Sequence, residues 1–83
     1  MDIKEILAKN VKLYRMRNGY TQDKLADICS NLHMDDALTN RSFISDIENS
    51  RRNISLDKVE LLSKALGVEP YQLFLTKEIS EKL

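Results

Sequence analysis

The sequence predicts an all-α fold with five helices. Apolar residues recur every three or four positions along most of the chain, a spacing that places side chains on one face of a helix. Residues typical of helix starts and stops separate these periodic segments. No segment alternates apolar and polar residues for long, and Val and Ile are scattered, so we expect almost no sheet.

The first two helices are predicted over residues 2–17 and from Thr21 to between Cys29 and Leu32. Asn18-Gly19 ends the first helix, because glycine tolerates the left-handed conformation used at helix C-termini. Thr21 is a favourable N-cap for the second helix, since its hydroxyl can accept a hydrogen bond from the first turn.

A third helix is predicted from a cap at Asn40 or Thr39 to about residues 49–50. Helical spacing divides its side chains into two sets. The inward set is Phe43, Ile44 and Ile47, and the outward set is Arg41, Ser42, Ser45, Asp46 and Asn49. An apolar back with polar residues in front suits a helix that enters a DNA major groove, whose width admits one helix. We therefore expect the segment from Asn40 to Glu48 to lie in the groove.

The fourth helix is capped by Ser55 or Asp57 and stopped by Gly67, and Pro70 then opens a fifth helix. The expected inward stripe of the fourth helix is Leu56, Val59, Leu62 and Leu66. Leu61 lies outside this stripe, so a monomer would expose it. We expect a homodimer contact built from Leu61 with Leu73, Leu75 or Ile79.

Composition limits the functional classes. The 83 residues suit one domain spanning 1–83, with a core over about residues 3–75, and the 42% hydrophobic and 31% charged content is globular. The formal net charge is zero, but basic residues concentrate in the first helix and again at Arg41, Arg51 and Arg52, so one face could be basic. No long apolar run or signal-peptide pattern is present, and we expect a cytoplasmic protein with no membrane partner.

Catalysis is not expected. The sequence has no Ser/His/Asp or Cys/His set and no phosphate-binding glycine loop, and it contains two glycines in all. Cys29 is the single cysteine and His33 the single histidine, so we expect neither a cofactor nor a metal site.

Four ordered segments carry a family resemblance: Gly19-Tyr-Thr-Gln-Asp-Lys-Leu-Ala26, Ile44-Ser-Asp-Ile-Glu-Asn49, Ser55-Leu-Asp-Lys-Val and Ala65-Leu-Gly-Val-Glu-Pro70. Together they resemble the phage-repressor and Cro (Xre-type) helix-turn-helix family over about residues 6–74. The resemblance implies a five-helix lambda-repressor-like domain that binds double-stranded DNA. It also implies a transcriptional regulator, of a family that includes repressors, that acts as a homodimer on a two-fold symmetric operator. Residues 40–62 are most similar to the controller proteins of restriction-modification systems. The alternative is an antitoxin-type protein that binds DNA and a protein partner.

The resemblance also implies residue roles. Arg41, Ser42 and Asp46 match positions that read base edges, and Arg suits the two acceptors of guanine. A carboxylate such as Asp46 is repelled by phosphate unless it accepts from cytosine or pairs with a nearby Arg. The positions expected at the DNA backbone are Thr21, Gln22, Asn40, Ser45, Asn49, Arg51 and Arg52. Arg15 and Glu48 match a buried pair that joins the first and third helices.

The chain departs from this family between the second and third helices. Eighteen positions separate Ala26 from Ile44, where the family usually has about ten, so roughly eight extra residues fall within residues 30–39. Either the second helix lengthens and a loop returns the chain, or Asp35 or Asp36 caps an early start of the third helix. In both cases we expect an enlarged turn with this acidic pair directed away from DNA.

Overall fold

The computed structural model describes residues 2–32 and 40–76, and these residues form helices with no strand. The all-α class is therefore confirmed. The predicted fifth helix starts at Pro70 as expected, but it is a short 3-10 helix rather than an α-helix. The elements are α1 (Ile3–Arg17), α2 (Gln22–Leu32), α3 (Arg41–Glu48), α4 (Leu56–Leu66) and the 3-10 helix (Pro70–Phe74).

Side chains that accept hydrogen bonds cap the starts of the four α-helices. Each cap accepts from the backbone N–H three residues further on, over 3.0 to 3.3 Å. The caps are Asp2, Thr21, Asn40 and Ser55. Such a cap contributes about 1 kcal/mol by satisfying a backbone donor that lacks a helical partner. The sequence left two caps open for each of the third and fourth helices, and in the structure the caps are Asn40 and Ser55.

Three helices end in the same hydrogen-bonded turn, in which the first or second residue after the helix adopts the left-handed conformation. Gly19 and Gly67 take this place after α1 and α4, both with φ of 72°. Ser50 takes it after α3 with φ of 58°, and its N–H donates to the carbonyl of Ile47 over 3.1 Å. The next N–H, of Arg51, donates to the carbonyl of Asp46 over 2.9 Å, which completes a Schellman motif.

The core lies between α1, α2, α3, α4 and the 3-10 helix. Its fully buried side chains are Val11, Leu25, Cys29, Ile44, Leu62 and Leu73. Two amides fasten the periphery to this core. Asn10 Nδ2 donates to the carbonyls of Leu73 and Leu75, each over 2.9 Å, and Asn18 Nδ2 donates to the carbonyl of Leu66 over 3.1 Å.

The predicted inward face of α4 was wrong at two positions. Leu61 is buried in the monomer, whereas Leu56 is 84% exposed. The reason is that α4 packs against three elements, namely α1, α2 and the 3-10 helix, so its buried arc is wider than a single stripe and includes the side towards α2. Leu73 is also buried and Leu75 is half-buried, so the leucines expected at a dimer contact mostly serve the core.

The enlarged turn falls outside the described residues. α2 continues to Leu32, and α3 begins at Arg41 after its cap Asn40. Both routes considered for the insertion, together with the placement of Asp35 and Asp36, concern residues 33–39, and Ile79 also lies outside the described ranges. Over the helices that are described, none is long and apolar enough to cross a membrane.

Candidate nucleic-acid interface

Helix α3 presents one fully packed side and one open side. It packs against α1 and α2 through Phe43, Ile44 and Ile47, each at most 3% exposed. Arg41 and Ser42, in the first turn, are exposed, as is Asn49 just after the last turn. The inward set predicted from helical spacing is therefore confirmed. Of the predicted outward set, Arg41, Ser42 and Asn49 are exposed, and Ser45 and Asp46 are half-buried.

Arg41 is held loosely. Its Nη1 atom lies 4.0 Å from Asp23 Oδ2 at the start of α2, and both side chains are about two-thirds exposed. An exposed ion pair at this distance contributes little, because water and salt screen it. The guanidinium can therefore leave Asp23 for a guanine edge or a phosphate at little cost.

Arg15 and Glu48 form the buried pair that the family resemblance implied, and that prediction is confirmed. Arg15 Nε lies 2.7 Å from Glu48 Oε2 and Nη2 lies 3.0 Å from Oε1, while Nη1 donates to the carbonyl of Tyr20 over 2.9 Å. The hydrogen bond to Glu48 raises the pKa of Arg15 above its ordinary value, against the lowering effect of burial. Three donors of one guanidinium thus connect α1, the turn before α2 and the end of α3.

Gln22 lies at the start of α2 beside this pair. Its Nε2 atom is 3.4 Å from Glu48 Oε1, so the amide bridges the start of α2 and the end of α3. Backbone N–H groups at a helix N-terminus attract anions. The half-buried Gln22 and the exposed cap Thr21 are therefore in a place where a phosphate would be favoured.

Ser45 and Asn49 form a local pair on α3. Asn49 Nδ2 donates to the Ser45 carbonyl over 2.8 Å and approaches Ser45 Oγ at 3.3 Å. This bond holds the Asn49 side chain against the helix and satisfies one of its amide hydrogens. The Asn40 side chain at the other end of α3 is occupied as an acceptor by its capping bond to Phe43.

Asp46 has arginine partners within the chain. Its Oδ2 atom lies 3.2 Å from Arg52 Nη2, and its Oδ1 atom lies 3.9 Å from Arg51 Nη1. Of the two partners that the sequence left open for this carboxylate, cytosine or arginine, the structure supplies arginine. The Arg52 guanidinium also lies 5.3 Å from the centroid of the Phe43 ring, and Lys58 Nζ lies 5.9 Å from it. The contacts of Arg52 and Lys58 with the Phe43 ring were not predicted, because the sequence does not indicate that cations can reach this ring.

Positive charge therefore flanks both ends of α3, with Arg41 at its start and Arg51 and Arg52 beyond its end. Among the described residues, no group of His, Cys, Asp and Glu could hold a metal ion. The two-helix unit, its packed back and its basic ends define a helix-turn-helix DNA-binding protein.

Comparison with known proteins gives the family. Residues 11–73 match the helix-turn-helix family HTH_3, of the Xre type, and the chain belongs to this family. It is a DNA-binding helix-turn-helix transcriptional regulator, and the family is one of regulators rather than enzymes.

The relatives include proteins named as control proteins and transcription factors. The chain is 42% identical over 78 residues to the control protein C.SmaI of Serratia marcescens, covering 94% of this chain and 82% of that protein. It is 41% identical over 73 residues to the control protein C.BamHI of Bacillus amyloliquefaciens, covering 87% and 80%. The crystal structure of the hypothetical transcription factor NHTF from Neisseria is similar with a TM-score of 0.84 and 34% identity, over 98% of this chain and 84% of that one.

Proposed function

We propose that the protein is a restriction-modification controller that binds a two-fold symmetric operator as a homodimer. The observation that carries this proposal is the open first turn of α3 on a helix whose back is completely packed and whose end is fixed by the Arg15–Glu48 pair. A rigid helix with exposed polar side chains is what sequence reading in a major groove requires. Similarity to two named control proteins supports the choice of regulatory system.

In this proposal, Arg41 and Ser42 read base edges. Both are exposed in the first turn of α3, and among the described residues Arg41 is restrained by one long contact, to Asp23. A guanidinium can donate two hydrogen bonds to O6 and N7 of guanine, which distinguishes this base from the other three. Asp46, the third candidate reader, lies on the same helix and pairs with Arg52.

The remaining candidates contact the DNA backbone. They fall into a group at the helix N-termini, where N–H groups attract phosphate, and a group around the end of α3, where side-chain donors lie beside the DNA backbone. The first group is Thr21, Gln22 and Asn40, and the second is Ser45, Asn49, Arg51 and Arg52. Since phosphate contacts carry no sequence information, these residues set affinity and orientation rather than base preference.

The homodimer needs apolar surface outside the monomer core. Ile3 and Leu56 are 64% and 84% exposed, and they line a groove of about 220 Å³ together with Leu7, Ile54 and Phe74. We assign this groove to a second copy of the chain. Arg52 also lines it while pairing with Asp46 on α3, so the groove lies beside the end of the recognition helix. Two recognition helices must enter grooves roughly 34 Å apart along the duplex.

The proposal is tested by selecting bound sequences from a random DNA pool and titrating the selected site. We expect a two-fold symmetric consensus, bound by two copies with salt-sensitive affinity. Salt-sensitive binding without sequence preference would contradict the operator. A methyltransferase gene and an endonuclease gene beside the coding sequence would support the controller role, whereas an adjacent toxin gene and a stable complex with its product would favour the antitoxin alternative.

A further inference from the structure

Asp46 is in an unfavourable place unless its charge is balanced. It lies two residues before the end of α3, where the helix dipole disfavours negative charge. Its side chain is 31% exposed and lies on the helix that we place in the groove, where phosphate repels a carboxylate. Both effects oppose a negative charge at this position. The role of the carboxylate therefore depends on the positive groups beside it.

The turn after α3 brings two arginines back to this carboxylate. Ser50 adopts the left-handed conformation, and the Arg51 N–H then donates to the Asp46 carbonyl over 2.9 Å. As a result, Arg52 Nη2 lies 3.2 Å from Asp46 Oδ2. The backbone bond from Arg51 to Asp46 turns the chain back, and this places the next residue, Arg52, beside the Asp46 carboxylate.

Arg52 is held from a second direction by an aromatic ring. Its guanidinium lies 5.3 Å from the centroid of Phe43, a residue that is 3% exposed and fixed in the core. Arg51 has no such support, since it lies at 3.9 Å from Asp46 and its side chain is 68% exposed. The two neighbouring arginines therefore differ: Arg52, 41% exposed, contacts both the Asp46 carboxylate and the Phe43 ring, whereas Arg51, 68% exposed, has the longer contact to Asp46 and extends into solvent.

We propose that Asp46 is a positioning residue that determines specificity by holding Arg52 on Phe43, and that it does not read a base. This inference rests on the proposed function, since it concerns the same DNA-binding surface. A free arginine near DNA binds any phosphate and adds about one to the slope of log affinity against log salt. Held by Asp46, Arg52 contributes little to binding of arbitrary DNA and keeps a fixed orientation for the operator.

The first test uses the protein without DNA. The Phe43 ring current should shift the Cδ protons of Arg52 upfield in the NMR spectrum of the wild type. Asp46→Asn should remove this shift, whereas Asp27→Asn, the same change of charge at an exposed position of α2, should keep it. An unchanged shift in Asp46→Asn would overturn the positioning role, whatever the protein does with DNA.

The second test measures binding to operator and non-operator duplexes over a range of salt. Relative to Asp27→Asn, the Asp46→Asn variant should bind non-operator DNA about fivefold more tightly near 0.15 M salt, with a slope steeper by about one. The operator should gain less, so the ratio of the two affinities falls, while the preferred base at every operator position stays the same.

Two results would contradict the proposal. A loss of preference confined to one base pair would show that Asp46 reads that base. Equal gains on both duplexes, matching those of Asp27→Asn, would show a simple charge effect. A wild type without sequence preference would instead contradict the proposed operator binding, and the NMR result would still decide whether Asp46 positions Arg52.

Discussion

Arg15 and Glu48, 33 residues apart in the chain, form a two-pronged ion pair between the end of α1 and the end of α3. The side chains are 13% and 5% exposed, and Arg15 Nη1 also donates a hydrogen bond to the Tyr20 carbonyl. Because the pair is largely removed from water, its main effect is on geometry: α3 cannot tilt relative to α1 without stranding a buried charge.

Removing one member of this pair should be strongly destabilising. We expect Glu48→Ala to lower the free energy of unfolding by about 3 kcal/mol, because Arg15 would be left without its partner in a poorly hydrated site. Urea denaturation followed by circular dichroism measures the change. Glu60→Ala is the matched control, since Glu60 pairs with Lys64 at the surface, and it should cost less than about 1 kcal/mol. Equal losses in the two variants would contradict the structural role of the pair.

Ser50→Gly should stabilise the fold. Ser50 holds a positive φ of 58°, a conformation that strains a residue with a Cβ atom and leaves glycine relaxed. We expect a gain of about 0.5 to 1 kcal/mol in the free energy of unfolding, measured in urea. Lys12→Gly, at an exposed position within α1, should instead lose about 1 kcal/mol. A loss at position 50 would show that the turn after α3 does not need the left-handed conformation.

The Cys29 thiol should lose its proton at a higher pH in the folded chain than in the unfolded chain, so the free energy of unfolding should fall at alkaline pH. Burial raises the pKa of this thiol to about 11 from an ordinary value of 9.0, against a smaller lowering by Lys58. Since the unfolded chain gives up the proton first, the contribution is complete below about pH 9 and is lost as pH rises towards 11. Wild type and Cys29→Ala should therefore differ in the slope of stability against pH over this range. Parallel slopes would contradict the raised pKa.

Leu56→Lys tests the surface assigned to the second copy. Leu56 is 84% exposed, so the change should leave the stability of the monomer nearly unaltered. We expect it to weaken self-association by about tenfold or more, because a charge would be placed in an apolar contact. Analytical ultracentrifugation measures the association. Met16→Lys, at another exposed apolar position, serves as control, and an unchanged dimer in Leu56→Lys with a weakened one in Met16→Lys would move the interface from this groove to the last turn of α1.

The elements set by local chemistry could be predicted from the sequence. Caps at Thr21 and Asn40 and the stops at Gly19 and Gly67 follow from side-chain hydrogen bonding and from the freedom of glycine, and the structure has them. The Arg15–Glu48 pair could be predicted through the family resemblance, because both residues match the positions of a buried pair in that family.

What depends on tertiary packing could not be predicted. The burial of Leu61 and the exposure of Leu56 follow from α4 having three neighbours, and the periodicity of one helix does not tell how many neighbours it has. The last segment is a 3-10 helix, and its end is bound to α1 by Asn10, whose Nδ2 donates to the carbonyls of Leu73 and Leu75. The placement of Arg52 on Phe43 depends on the left-handed Ser50, for which no glycine gave a signal.

The most direct measurement of the central claim, that α3 reads sequence through its first turn, compares Arg41→Ala with Arg51→Ala on the selected operator and on operators with single base changes. We predict that Arg41→Ala loses about 1 to 3 kcal/mol of binding free energy and relaxes the preference at one base pair in each half-site, with unchanged stability. Arg51→Ala should weaken binding to all duplexes alike and reduce the salt slope by about one. If Arg41→Ala instead lowers affinity equally for every sequence, Arg41 is a backbone contact and the first turn of α3 does not read the operator.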